Sequence, residues 1–145
     1  MTTAIAPAMP GRSLPDWQTW LENGDRYLAA AAGKKGRFDT ALRYNLLSMA
    51  LEGYVMAISD FHSLLPDNHT YTDLMDALER VAPLAPDLKE QILAHESIQQ
   101  ICSIEDYHRS HPTETALADL RQAIEQVASM AHETCLFRGS AVPQA

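Results

Sequence analysis

The sequence predicts an all-α protein, an up-and-down bundle of about five helices. Three observations predict it. Residues 37 to 62 read RFDTALRYNLLSMALEGYVMAISDFH, with no proline and one glycine. A run so rich in leucine, alanine, methionine and aromatics is a long helix that other helices must cover. Near the end of the chain, Ala116, Leu117, Leu120, Ile124, Val127, Ala131 and Cys135 recur at helical spacing. No stretch shows the two-residue alternation of a strand, and no segment repeats another.

The chain of 145 residues is long enough for one domain with a real core. We place that domain at residues 14 to 136, between flexible tails at 1–13 and 139–145. The leader is rich in alanine and proline, with Pro7, Pro10 and Gly11. Ser13 or Asp16 is expected to cap the first helix, with Pro15 near its first turn. Trp17, Trp20, Leu21, Tyr27, Leu28 and Ala31 give that helix its apolar side, and the two tryptophans read as core anchors. Gly24 carries no side chain and suits a close approach by another backbone. Gly33 and Gly36 end the helix.

The central helix carries Phe38, Leu42, Leu46, Met49, Val55, Met56 and Ile58 around much of its circumference. One row differs. Asn45, Ser48, Glu52 and Ser59 share a face, and we read Glu52, Asn45 and Ser48 as a structural polar core. Glu52 lies inside SMALEGYVMA, where an unpaired charge is expensive, so a partner is expected for it. Pro66 then ends the helix in the turn LLPDNH. Thr70 with Asp73 three residues on resembles a capping box for a third helix carrying Tyr71, Leu74, Met75, Leu78 and Val81. Pro83 and Pro86 bound the next turn. Asp87 opens a fourth helix with Leu88, Ile92, Ile98, Ile101 and Cys102, ending before His111 and Pro112. Thr113 is a cap for the fifth.

The formal charge of −8 disfavours nucleic acid as a partner, though a local basic patch could still bind a phosphate backbone. The basic run Lys34, Lys35 and Arg37 reads as a solvated turn. Cys102 and Cys135 are expected as buried free thiols. With no signal peptide and no apolar span of membrane length, a cytoplasmic protein without a membrane partner is expected.

Five helices in this order resemble the HEPN family of small helical bundles. The likeness rests on Ala50, Leu51 and Glu52 in the long helix, then Pro66, His69 and Leu74, and later on Tyr107 and Pro112. It spans roughly residues 14 to 135. Active HEPN ribonucleases carry an arginine and a histidine separated by four to six residues, and they act as dimers on RNA. Here Arg109 and His111 have one residue between them, and no other arginine precedes a histidine at that distance. The resemblance therefore implies a non-catalytic domain, acting in protein interaction or small-ligand binding. It also implies a homodimer, and a setting beside a protein partner such as a toxin–antitoxin or nucleotidyltransferase companion.

Two chemical alternatives centre on Glu105, Asp106, Tyr107, His108, Arg109 and His111. In the first, His108, Arg109 and His111 supply the acid, base and phosphate-stabilising groups of an atypical ribonuclease. In the second, Glu105 and His108, one helical turn apart, join Glu52 as metal ligands, with His95-Glu96 and His132-Glu133 as further candidates. A third possibility is an apolar gap around Glu52 bounded by Trp17, Trp20, Tyr54 and Tyr107. The bland reading of the acidic cluster is a solvated helix end. No cofactor is expected: glycine-rich phosphate loops, G-x-S-x-G, H-E-x-x-H and C-x-x-C are all absent from the sequence.

Overall fold

The computed structural model describes residues 16–32, 40–64, 70–96 and 112–138. They form an all-α helical bundle. In chain order the helices are α1 (Asp16–Ala31), α2 (Thr40–Phe61), α3 (Tyr71–Val81), α4 (Pro86–Leu93) and α5 (Glu114–His132). A π-helical turn, Glu133–Arg138, prolongs α5. Of the expected fourth helix, the part from Ile98 to Cys102 lies outside the described residues.

The helix starts follow the predicted chemistry. Thr70 accepts a hydrogen bond from the Asp73 backbone N–H, and Thr113 does the same for Ala116. Each side chain thus satisfies one of the amides a helix start leaves unpaired. Helix α4 has no side-chain cap and begins with Pro86 in its first turn, while Asp87 contributes charge there rather than a cap. Helix α2 ends in a Schellman motif. Leu64 N–H donates to the Ser59 carbonyl and Ser63 N–H to that of Asp60, with Ser63 at φ 61°.

Helix α2 is the hub. From Gly53 to Ser59 every residue is buried. Its exposed side is near the N-terminal half, where Leu42, Asn45 and Met49 face outward. Of the apolar residues spread around this helix, Leu42 and Met49 stay exposed. They stand two helical turns apart on the side opposite Tyr44, Leu47 and Leu51, which the core claims.

Contacts fix the helix directions. Trp17, at the start of α1, stacks edge-on against Phe61 at the end of α2, with ring centroids 5.6 Å apart. Gly24 faces Gly53 at mid-length, so α1 and α2 are antiparallel. Arg43 meets Glu114, whereas Cys135 donates to the Ala57 carbonyl, so α2 and α5 run parallel. Between them in the chain, α3 packs against α2, with the Tyr71 and Ser48 hydroxyls 2.5 Å apart, and α4 is joined to α5 through Gln91 and Asp119. One core joins all five helices, from Leu21 through Leu51, Leu78 and Ile92 to Ile124.

Gly24 and Gly53 make the α1–α2 crossing possible. A Cβ on Gly53 would stand 2.9 Å from the Gly24 nitrogen and 3.0 Å from the Trp20 carbonyl oxygen. A Cβ on Gly24 would stand 2.9 Å from the Tyr54 ring. Two backbones and one aromatic ring fill the space where side chains would otherwise separate the helices.

Candidate functional site

Three buried tyrosines show how the bundle handles polar atoms. A phenol is worth burying for its ring only if its hydroxyl finds a partner. Tyr44 donates to the His95 carbonyl at 2.9 Å, Tyr71 and Ser48 share a hydrogen at 2.5 Å, and Tyr54 donates to Asp25 Oδ1 at 2.6 Å. Each bond ties α2 to another part of the chain.

Tyr54 belongs to the first polar junction. Asp25 Oδ1 also lies 2.8 Å from His132 Nε2, so α1, α2 and α5 meet at one carboxylate. Burial, together with the hydrogen bond to Asp25 and its charge, pushes the Tyr54 hydroxyl well above the usual phenol range. The phenol is therefore a fixed donor and not a base.

The second junction joins α4 to α5. His95 Nε2 lies 2.8 Å from Asp119 Oδ2, and Gln91 donates to Asp119 Oδ1 at 3.0 Å. The His95 bond, with help from Gln91, holds the Asp119 carboxyl below its ordinary range. Next along the chain, Glu96 Oε1 accepts from the Thr72 amide at 2.6 Å and from its hydroxyl at 2.8 Å. Glu96 thus serves the start of α3, where a carboxylate is favoured by the helix dipole.

The third junction borders a cavity of about 190 Å³, lined by Ala31, Arg43, Leu47, Glu114, Leu117, Ala118 and Arg121. Leu47 and Leu117 are buried, while Ala118 and Glu114 are exposed. Arg43 pairs with Glu114 through Nη2 and keeps only 14% of its side chain exposed. Its Nε is shut off from solvent with no hydrogen-bond acceptor. The Arg121 Nε is in the same condition. It lies 3.3 Å from Glu125 Oε2, an ion-pair distance without hydrogen-bond alignment.

The residues singled out from the sequence fall elsewhere. Glu105, His108, Arg109 and His111 lie outside the described residues, as do Tyr107 and Cys102. Glu52 is half-buried and engaged, and Ser48 is half-buried on Tyr71. Asn45 is exposed, so the expected polar row starts one turn later; the helix turns Ala41 and Tyr44 inward at that level instead. His95 and Glu96 serve Asp119 and α3, and His132 serves Asp25. Among the described residues no group of three or more His, Cys, Asp or Glu side chains is placed to hold a metal ion. Of the residues expected to bound a gap around Glu52, Trp17 stacks on Phe61 and Tyr54 lies against Gly24.

The arginine-lined cavity was not read from the sequence. Its one sequence signal is Arg43, a lone cation among Leu42, Tyr44, Leu46 and Leu47. Arg121 and Glu114 look like ordinary decoration of a helix until α2 and α5 are known to be parallel neighbours. Comparison with family models, curated proteins and solved structures returned no match for this chain.

Proposed function

We propose that this chain is a non-catalytic helical binding domain, HEPN-like in organisation, that takes a small ligand in the cavity between α1, α2 and α5. One observation carries the reading: a cavity of about 190 Å³ is lined by the apolar side chains of Leu47 and Leu117 together with the charged Arg43, Glu114 and Arg121. The other junctions support the reading by contrast. Asp25, Tyr54, His132, His95, Asp119 and Glu96 spend their hydrogen bonds on holding helices together. Such groups are poorly placed for proton transfer to a substrate.

The homodimer, the cytoplasmic setting and a protein partner of the toxin–antitoxin or nucleotidyltransferase kind belong to the same reading. They rest on the family resemblance, and light scattering on the purified chain tests the dimer. For ligand binding, the test is a fragment screen followed by amide chemical shifts of the full chain. Shifts grouped at Ala31, Leu47, Leu117 and Ala118 are expected. A screen whose only shifts fall away from these four residues sinks the proposal.

A further inference from the structure

We infer that residues 6–15, ahead of α1, lie as an extended strap along the outward face of α2, with Arg12 paired to Glu52. This face is separate from the cavity, and the inference does not rest on the binding reading.

The face is a single stripe. Leu42, Asn45, Met49, Glu52, Met56 and Ser59 follow one another at alternate steps of three and four residues. At that spacing a helix presents one side to a long partner. The contacts that join α2 to α1 at Gly53 and Phe61, to α3 at Ser48, and to α5 at Arg43 and Ala57 all fall off the stripe. Its coverage is graded. Ser59 and Met56 are buried, Glu52 is half-buried, and Met49 and Leu42 are 41% and 42% exposed. The open end thus carries apolar side chains, and the middle carries the stripe's one charge.

The residues ahead of α1 start from the right place to cover it. Asp16 opens α1 beside the end of α2, where Trp17 stacks on Phe61 and the Asp16 charge acts on Asp60. Asp60 heads the stripe, one turn beyond Met56. Residues 1–15 lie outside the described residues; their sequence carries Pro7, Pro10, Pro15 and one charged side chain, Arg12. Prolines at that density favour polyproline II, which rises about 3.1 Å per residue with about three residues per turn. Met9, Arg12 and Pro15 therefore share one edge. With Pro15 supplying the reversal before α1, the strap runs back along α2. Arg12 then comes about 12 Å from the Asp16 end, and Glu52 stands about 12 Å from Asp60. Met9 comes at about 22 Å, between Met49 at about 17 Å and Leu42 at about 27 Å. The strap's one cation thus meets the stripe's one anion, and its methionine meets the open apolar end. Glu52 is already engaged, and a carboxylate has room for more than one donor. A second copy is the rival occupant. A stable dimer needs about 800 Å² from each partner, far more than Leu42 and Met49 offer. A tethered strap binds at a millimolar effective concentration and needs less.

The experiment labels the methionine methyl groups of the full chain and reads their nuclear Overhauser contacts and shifts. A contact between the Met9 and Met49 methyls is expected. Arg12→Glu sets like charges against each other, so it should abolish that contact and move the Met49 line. Arg12→Lys keeps the charge and should leave both as they are. Met75, buried in the core on α3, should hold its position in every variant and so reports an intact fold. A Met9 methyl at the shift of free methionine, without contact to α2, overturns the strap. Survival of the contact in R12E overturns its register on Glu52. A Met49 line that moves with protein concentration and not with R12E also overturns the strap, and assigns the face to a second copy.

Discussion

Ser63 is a serine in a glycine's place. At φ 61° it occupies the left-handed region, which costs an L-residue about 1–2 kcal/mol. The Schellman motif at the end of α2 requires that conformation, because Leu64 can reach the Ser59 carbonyl only through it. Ser63→Gly is therefore expected to stabilise the fold by about 0.5–1 kcal/mol after glycine's entropy loss, measured by urea denaturation at unchanged slope. Cys135 illustrates the opposite case, a reactive group silenced by position. Burial, with the nearby Asp60 charge, pushes its thiol up to about 11. The thiolate is the nucleophile, so at pH 7.5 Cys135 should react with iodoacetamide only as fast as the chain opens. Mass spectrometry of the Cys135 peptide should show labelling accelerate sharply in urea; equal rates in buffer and urea would refute this. The buried thiol was legible from the Cys135 stripe. Ser63 was not, because nothing in FHSLLPDNH says which residue takes the positive φ.

At the level of elements, the α1–α2 crossing depends on Gly53. Alanine there would gain about 1 kcal/mol of helix propensity but place a methyl group against the Gly24 and Trp20 backbones. Backbone cannot rotate away as a side chain can, so overpacking of about 1–3 kcal/mol should win. Gly53→Ala is expected to lower stability by up to about 2 kcal/mol, read from its thermal midpoint; a rise would show that the helices can separate at little cost. The α4–α5 junction carries a pH dependence. Asp119 is held below the ordinary carboxylate range by His95 and Gln91, so folding favours its ionised form. That stability is fully present above about pH 4, near the carboxyl's unfolded value, and is lost as pH falls through the lower folded one. Asp119→Asn should be less stable than the parent at pH 6, by a modest amount because the side chain is half-exposed. The gap should close towards pH 2.5, and a pH-independent gap would contradict the linkage. The caps at Thr70 and Thr113, and Gly24 as a point of close approach, were legible because each has a local chemical signature. The partners of Asp25, His95 and Glu96 were not, since they lie on other helices and spacing along one helix says nothing of them.

Across the whole molecule, one core joins α1 to α5, so the helices should unfold together. Far-ultraviolet dichroism and tryptophan fluorescence, which reports Trp17 and Trp20 on α1, are expected to give coincident urea transitions; an earlier fluorescence transition would mean that α1 detaches by itself. The all-α class and the central position of α2 were legible from its composition. The pairing of helices was not. Apolar stripes state which side of a helix is buried but not its neighbour, and the parallel pair α2 and α5 leaves no mark in the spacing of either helix. The arginine cavity exists only through that pairing.

The glycine crossing also has a mechanical meaning. With backbone against backbone, α1 and α2 meet closely at Gly24 and Gly53, a natural fulcrum for any tilt of α1. Ala31, on the cavity wall, stands seven residues along α1 from Gly24, a lever arm of about 10 Å. A tilt of about 5° at the fulcrum would displace Ala31 by about 1 Å. A tilt at the joint is thus expected to change the width of the cavity two helical turns away.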